Sequence, residues 1–392
     1  MPVFLSPVAR LRAGRRCLVA AVAVAALLAS VAGVAGSTEP AATGEATAAA
    51  PSPLPPFDPD WITQEEFDQQ LLKIHGSLPD PQVGLFGPDS MMWRITRYIE
   101  PGGLATGRAI LMHVSHPWIA QGITEHSKSR HNLLARGRET FSYALIMVYG
   151  DRDMALQAAR DVRGLHNKAK GRMPRDAGAF AKGSEYRANE TEAMLWVHAT
   201  MWESMMLAYE LMNGAVDHDD KERFYEETKL FAYLFGIPEA ALPENWDAMI
   251  RFCEDLRNSD RMVITPEAKE LVEFLYGHHG ILMWPVMSYN RLVTTANIPP
   301  AMREAYGFKW GPVRSVFYRG SIDAIRFAHW ILPNYLLENP VQREAKARMR
   351  GTRPNFFTRL EIRLALGRWS LVSAGSNVVG EYPHDDADTA PP

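Results

Sequence analysis

The chain has 392 residues, of which 47% are apolar and 22% are charged. These proportions are ordinary for a globular protein with a substantial core, and they exclude collagen-like, coiled-coil and wholly disordered chains. The formal net charge is −3, from 42 basic and 45 acidic residues. Because there is no basic excess, we expect no nucleic-acid partner.

The first 36 residues have the pattern of an export signal. The basic stretch RLRAGRR precedes a segment of small and apolar residues at 17–36, and the first acidic residue is Glu39. A basic region, an apolar region and a small-residue cleavage site near Gly36 are typical of a secretory signal. Because about twenty apolar residues also suffice to cross a bilayer, an uncleaved membrane anchor is the alternative. We therefore expect an exported protein, secreted or periplasmic, with membrane contact only through 17–36 if that segment is kept.

Composition divides the rest of the chain into three parts. Residues 37–56 form an Ala/Pro-rich linker, 57–336 a single all-α domain, and 337–392 a basic helical extension that ends in an acidic, disordered tail. The chain has two cysteines, Cys17 and Cys253. Since Cys17 leaves with a cleaved signal, the mature chain has no internal disulfide, and without a C-x-x-C-H motif it lacks the usual covalent haem attachment.

The body of the chain is predicted to be helical because apolar residues recur with a period of about 3.6. Four stretches show this most clearly: 138–149, 152–170, 192–212 and 219–235. Gly150 breaks the pattern between the first two, and Asp151 is expected to cap the second. Proline-rich joints at 237–245 and 298–301 separate later helices.

One histidine lies inside an apolar run, MLWVHATMWESMM at 194–206. On a helical wheel the hydrophilic residues share one face: Glu192, Thr200, Glu203 and Glu210. His198 lies opposite, so we expect it in the interior. A buried imidazole needs partners, because desolvating an unpaired polar group costs roughly 1–3 kcal/mol. From this helix alone, His198 is either a ligand to a bound group or a core residue hydrogen-bonded to a carbonyl.

A second helix carries Arg163, His166 and Lys170 at i, i+3 and i+7, a spacing that places them on one face. His166 also borders a predicted apolar stripe formed by Val162, Leu165 and Ala169. A guanidinium one turn from a half-buried imidazole suits an anionic ligand, because arginine binds carboxylates with two parallel hydrogen bonds. The alternative is an exposed basic face with no ligand.

Other histidines and the absent motifs are less informative. The remaining pairs are His113 with His116, His126 with His131, and His278 with His279 in a predicted loop. There is no H-E-x-x-H, G-x-S-x-G or G-x-G-x-x-G. The predicted helices also lack the Glu-x-x-His pairs of a di-iron bundle. Zinc proteases, common hydrolases and dinucleotide-binding enzymes are therefore not indicated.

Five segments, taken in order, resemble one known family. They are HPWIAQGITEHS, FSYALIMVYGD with AARDVRGLH, MLWVHATMWES, YEETKLFAYLFGIPEAALPENW and IPPAMREAYGFKW. The family includes the fungal membrane-bound oxygenase of mycophenolic acid biosynthesis and the bacterial latex clearing proteins, which are rubber oxygenases. The resemblance covers roughly residues 85–315.

The resemblance implies a single globin-like, all-α domain that binds haem b (iron protoporphyrin IX) non-covalently. It also implies an oxidoreductase that uses dioxygen to cleave or oxidise a C=C bond of an apolar small-molecule or polymer substrate, such as an isoprenoid. By position, His198 matches the proximal haem ligand of the family and so would bind the metal.

The matching positions on the distal helix are Arg163, His166 and Asn167, which the resemblance assigns to haem binding, and the first two also to catalysis. The rubber-cleaving branch has arginine, lysine and threonine there, so His166 is a departure. Two roles for it stay open: a sixth iron ligand, or a hydrogen-bond donor to dioxygen on the distal side.

Two other functions remain compatible with these residues. A haem or lipid carrier of the same fold would bind its ligand without consuming oxygen, and two tight histidine ligands would favour electron transfer or haem transport. An all-α structural protein with merely packed histidines would be colourless.

Overall fold

The computed structural model describes residues 54–77, 80–126, 133–277 and 284–373. The predicted export signal, most of the predicted linker and the acidic tail lie outside these residues. So do His131, His278 and His279.

The described residues form sixteen α-helices and one short sheet. The first six helices are α1 (Gln64–Ser77), α2 (Met91–Ile95), α3 (Ile99–Val114), α4 (Pro117–His126), α5 (Leu133–Tyr149) and α6 (Arg152–His166). Strands β1 (Lys170–Arg172) and β2 (Glu185–Arg187) pair antiparallel, with Gly171 opposite Tyr186. The prediction of an all-α fold is confirmed.

The remaining helices run from the centre of the fold to its C-terminal side. They are α7 (Thr191–Asn213), α8 (His218–Tyr233), α9 (Trp246–Arg257), α10 (Pro266–Tyr276), α11 (Trp284–Asn297), α12 (Pro300–Ala305), α13 (Pro312–Ile331), α14 (Asn334–Leu337), α15 (Pro340–Met349) and α16 (Phe356–Leu366). A single 3₁₀ turn, Glu239–Ala241, lies in the proline-rich joint between α8 and α9.

The predicted helix at 152–170 is too long. Asp151 caps α6 as expected, accepting the Met154 N–H at 2.8 Å, but the helix ends at His166 with Asn167 as its C-cap. Lys170 then enters β1 and pairs with Arg187. The strand pairing ends the helix four residues earlier than the periodicity indicates, and Lys170 does not share a helix face with Arg163.

Helix α7 lies at the centre and packs along α3, with α9 and α13 also against it. Its hydrophilic face is also largely covered by neighbouring parts of the fold. Thr200 and Ser204 are fully buried and donate to backbone carbonyls four residues earlier in the same helix. Glu203 forms ion pairs with Arg108 of α3 at 3.1 Å and with Arg257 of α9 at 3.0 Å. The polar face of α7 therefore joins helices together and does not face solvent.

The C-terminal helices are part of the same packed body. Both α15 and α16 pack against α5, and Val341 and Ile362 belong to the main hydrophobic core. The carboxylate of Glu344 is fully buried and accepts the Leu371 N–H at 3.0 Å, which holds the chain after α16 against α15. No helix in the described ranges is both long and apolar enough to cross a bilayer.

An aromatic cluster surrounds His116, which is fully buried. Its Nδ1 accepts the Trp118 N–H at 3.2 Å, so this nitrogen carries no proton. Its ring lies 5.0 Å from that of Phe180. Burial, followed by the charge on Arg261, lowers the pKa of His116 to about 3. The fold therefore requires the neutral imidazole at this position.

We expect His116 to make the protein sensitive to acid. In the unfolded chain the imidazole takes up a proton as the pH falls through 6.5, its ordinary pKa, whereas in the fold it stays neutral until about pH 3. The contribution of His116 to the free energy of unfolding is thus fully present above pH 6.5. It is lost on acidification, by about 1.4 kcal/mol per pH unit for this one group. Between about pH 7 and about pH 5, the free energy of unfolding measured in urea should therefore fall less steeply with pH in His116→Gln than in the wild type, and the difference in slope should be of that size. The exposed His75→Gln is the control, and an unchanged slope in His116→Gln would contradict the assignment.

Candidate functional site

His198 lies on α7, which at 23 residues is the longest helix of the described residues. The carboxylate of Glu190 caps α7 by accepting the backbone N–H of Glu192 and Ala193, at 3.1 and 2.6 Å. His198 follows two turns later and is only 4% exposed. Its ring stacks against Phe231 of α8 with centroids 6.5 Å apart. The prediction that His198 faces the interior is confirmed.

Both ring nitrogens of His198 lack a hydrogen-bond partner. Burial lowers the pKa of His198 to about 3, so the imidazole is neutral at physiological pH. A packed core histidine would satisfy at least one nitrogen, because an unpaired buried polar group is costly. The carbonyl partner expected of a core histidine is not found here. A neutral imidazole with free nitrogens is the form that binds metals.

The C-terminal end of α6 buries Arg163 and leaves Leu165 in solvent, at 7% and 47% exposure. The Arg163 Nη2 donates to the carbonyl of Ile62 at 2.7 Å, and the guanidinium lies over the ring of Phe67 at 5.3 Å. The predicted apolar stripe that included Leu165 is therefore wrong. Arg163 takes the buried position on that side of α6 because Ile62, just before α1, and Phe67, within α1, provide contacts for its guanidinium.

Part of the Arg163 guanidinium is unused. Its Nε and Nη1 are buried and have no hydrogen-bond partner, and the desolvation lowers its pKa. Arginine stays charged in proteins even so. A buried cation with two free N–H groups is suited to a carboxylate, which can accept both at once.

Arg163 and His166 face a small recess at the C-terminal end of α6. It is lined by Phe67, Ala159, Arg163, His166, Asn189, Leu234 and Phe235. His166 is half-buried. Desolvation and the charge of Arg163 lower its pKa to about 4, while the nearby Asn189 side chain acts in the opposite direction. Thus His166 is also neutral at physiological pH.

Asn167 does not line the recess itself. It is exposed, and its Oδ1 accepts a hydrogen bond from Asn189 Nδ2 at 2.8 Å. Asn189 is buried and its own Oδ1 has no partner. Sequence analysis missed Asn189, because it lies just before α7 where no periodic pattern covers it. Asn167 therefore fixes Asn189, which is the residue that reaches the recess.

A row of aromatic rings connects the two histidines. The His166 ring lies 6.3 Å from that of Phe235, Phe235 lies 5.3 Å from Phe231, and Phe231 lies 6.5 Å from His198. Phe231 lies in the last turn of α8, and Phe235 lies in the turn that follows the helix. The structure thus brings α6, α7 and α8 to one site, with His166 and His198 at opposite ends of the row.

The other histidines that the structure describes lie outside this site. His113 Nε2 is 3.1 Å from the Val197 carbonyl, and His126 Nε2 is 3.0 Å from the Lys170 carbonyl. Among the described residues one set of possible metal ligands lies elsewhere: His218, Glu222 and Asp247, with ligand atoms within 4.8 Å of one another. Glu222 already accepts the Trp246 N–H at 3.0 Å. The set also adjoins the N-terminal ends of α8 and α9, whose positive dipole ends disfavour a cation.

Residues 93–327 match the model of a family described as ER-bound oxygenase mpaB/B′/rubber oxygenase, catalytic domain. The chain belongs to this family. The resemblance expected over residues 85–315 is thereby confirmed. Searches of curated proteins and of solved structures gave no match to the chain.

The family match covers the three helices of the candidate site, whereas Ile62 and Phe67, which receive Arg163, precede it. It begins at Trp93 in α2 and ends at Phe327 in α13, so α6, α7 and α8 all lie inside it. A catalytic domain of this family is an oxygenase domain by its description. At this coarse level the chain is an oxidoreductase that takes dioxygen and an organic substrate.

Proposed function

We propose that the protein is a haem b-dependent oxygenase that uses dioxygen to cleave or oxidise a C=C bond of an apolar, isoprenoid-type substrate. The observation that supports this most is His198. It is buried and neutral, and it has two unpaired ring nitrogens at the centre of a domain from an oxygenase family.

The residues present are suited to a haem. His198 would hold the iron through one ring nitrogen, and the free Nε and Nη1 of Arg163 would donate hydrogen bonds to the carboxylate of a propionate. When bound, haem supplies the binding and activation of dioxygen. The rings of Phe231 and Phe235 lie between the two histidines, so their side-chain rotamers determine the room at the site.

His166 is positioned to hold a proton at the recess. As a neutral imidazole it has one N–H to donate and one nitrogen that accepts, and the Asn189 side chain lines the same recess. This arrangement favours a hydrogen-bonding role for His166 over a second iron ligand. Phe67, Leu234 and Phe235 surround it with apolar surface, which would exclude water.

The proposal is tested on the full chain produced with added haem precursor. We expect a Soret band that shifts on reduction with dithionite, and oxygen uptake when an isoprenoid alkene is added, with carbonyl products detected by mass spectrometry. A colourless protein that also fails to take up haem in vitro would refute the proposal. A coloured protein that consumes no oxygen with any alkene would instead support the carrier function.

Replacing Arg163 by methionine should weaken haem binding about 10- to 100-fold, because a charge-assisted hydrogen bond contributes about 1.5–3 kcal/mol. The measurement is a haem titration of the apoprotein by absorbance. Arg160→Met is the matched control, since Arg160 lies on the same helix but is exposed. Equal affinities in the two variants would exclude Arg163 from the haem site.

A further inference from the structure

Two C-terminal parts of the fold expose large aromatic side chains. At the end of α13 and in α14, Phe327, Trp330 and Tyr335 are 60%, 80% and 41% exposed. In α16 and just after it, Phe356, Phe357 and Trp369 are 62%, 67% and 45% exposed. Single exposed apolar residues are normal, whereas a contiguous group of this kind marks a surface that binds something.

The two groups are neighbours in space. The Tyr335 hydroxyl donates to Asn355 Oδ1 at 3.0 Å, and lies 3.3 Å from Thr358 Oγ1 at the start of α16. Within each group the rings also cluster, with centroids 6.0 Å apart for Phe327 and Trp330 and 6.4 Å for Phe356 and Trp369. We call the six residues Phe327, Trp330, Tyr335, Phe356, Phe357 and Trp369 the aromatic surface.

Exposed positive charge accompanies these rings. Arg353, Arg359 and Arg363 are exposed, and the Arg359 guanidinium lies 5.8 Å from the ring of Trp369. The only acidic residue in 350–369 is Glu361, which is paired with Arg343. On α13 the exposed Asp323, one turn before Phe327, pairs with Arg326 at 3.6 Å. The α16 part of the aromatic surface is thus locally basic in a chain whose formal net charge is −3.

Exposed tryptophan and phenylalanine interleaved with arginine are the composition of elements that lie in a membrane interface. Their rings enter the boundary between headgroups and acyl chains, and arginines attract anionic lipids. A second copy of the chain fits the aromatic surface less well than a membrane does. A symmetric dimer through this surface would bring the same arginines, which form no ion pair with a described carboxylate, towards each other across a two-fold axis.

We propose that the aromatic surface docks on membranes that contain anionic phospholipids. This contact is separate from the segment 17–36 and does not depend on the oxygenase activity. The end of α13 and helix α16 lie along the bilayer with their aromatic side chains among the headgroups, while the arginines pair with lipid phosphates.

Tryptophan quenching tests this on the full chain, because 17–36 contains no tryptophan. Vesicles of brominated phosphatidylcholine, with or without phosphatidylglycerol, quench only indoles that reach the bilayer. We expect quenching with the anionic vesicles that disappears in Trp330→Phe/Trp369→Phe. Each of Arg353→Gln and Arg359→Gln should weaken docking about fivefold, the effect of one basic residue near an anionic surface.

A matched control removes an exposed apolar side chain elsewhere on the protein. Phe356→Ser/Phe357→Ser should reduce the quenching, while Leu72→Ser, at a 71% exposed position on α1, should leave it unchanged. Because all three residues are exposed, circular dichroism should show the same fold in each variant.

Three results would overturn the proposal. Equal quenching with and without phosphatidylglycerol would remove the role of charge. Vesicle association without tryptophan quenching would confine membrane contact to 17–36. A dimer in sedimentation that dissociates in Phe356→Ser/Phe357→Ser, again without quenching, would make the surface an interface between copies.

Discussion

Replacing His198 by alanine is expected to abolish haem binding, with complete loss of the Soret band, while the apoprotein remains folded. The reason is that the ring contributes no hydrogen bond to the fold: both nitrogens are unpaired. Removing the ring also removes the desolvation penalty of its two unpaired nitrogens, and this partly offsets the cost of the cavity that the ring leaves. The measurement pairs absorbance after haem titration with urea unfolding of the apoprotein.

The control for His198→Ala is another histidine that contacts the same helix. His113 Nε2 lies 3.1 Å from the Val197 carbonyl, so His113→Gln disturbs α7 next to the site without removing the proposed ligand. It should keep the Soret band. Imidazole added to His198→Ala should restore part of the spectrum by entering the space of the lost ring. A wild-type spectrum in His198→Ala would show that the iron is held elsewhere.

The interior position of His198 was predictable because it depends on one helix alone. In 192–212 the apolar residues define the buried face, and α7 forms at Thr191–Asn213. The order of the five family segments similarly depends only on sequence, and it identified the family that the match to residues 93–327 shows. Both inferences use information that is local or linear along the chain.

Arg163 shows why the other half of the site was not predictable. Local periodicity favours burial of Leu165 over an arginine. In the structure the backbone carbonyl of Ile62 and the ring of Phe67 receive the guanidinium, and both belong to a part of the chain far away in sequence. Likewise, α6 ends at His166 because β1 pairs with β2. Contacts of this kind cannot be derived from a helical wheel.

The same limit applies to the polar face of α7, and it leads to the largest expected effect on stability. Glu203 bridges two arginines, with Arg257 Nη1 3.0 Å from each of its carboxylate oxygens and Arg108 Nη2 3.1 Å from one of them. All three side chains are at most 14% exposed. We expect Glu203→Ala to lower the free energy of unfolding by about 3–5 kcal/mol, because it leaves two buried guanidinium groups without their counter-charge.

Urea unfolding of Glu203→Ala beside Glu226→Ala separates this effect from the loss of an ordinary ion pair. Glu226 pairs with Lys229 at 2.6 Å but is 59% exposed, so its replacement should cost at most about 1 kcal/mol. If Glu203→Ala costs no more than that, the buried bridge does not hold α3, α7 and α9 together.

Adding Arg257→Met to Glu203→Ala should be less destabilising than the sum of the two single changes. The double variant removes one of the two charges that Glu203→Ala leaves unpaired, and the residues are in direct contact, so their effects are coupled. Arg108 keeps its hydrogen bonds to Ser204 Oγ at 2.7 Å and to the Asn297 carbonyl at 3.0 Å, and these hold its guanidinium in place. Strict additivity would instead mean that Glu203 and Arg257 stabilise the fold independently. The stabilising effect of Glu203 would then come from its ion pair with Arg108 alone.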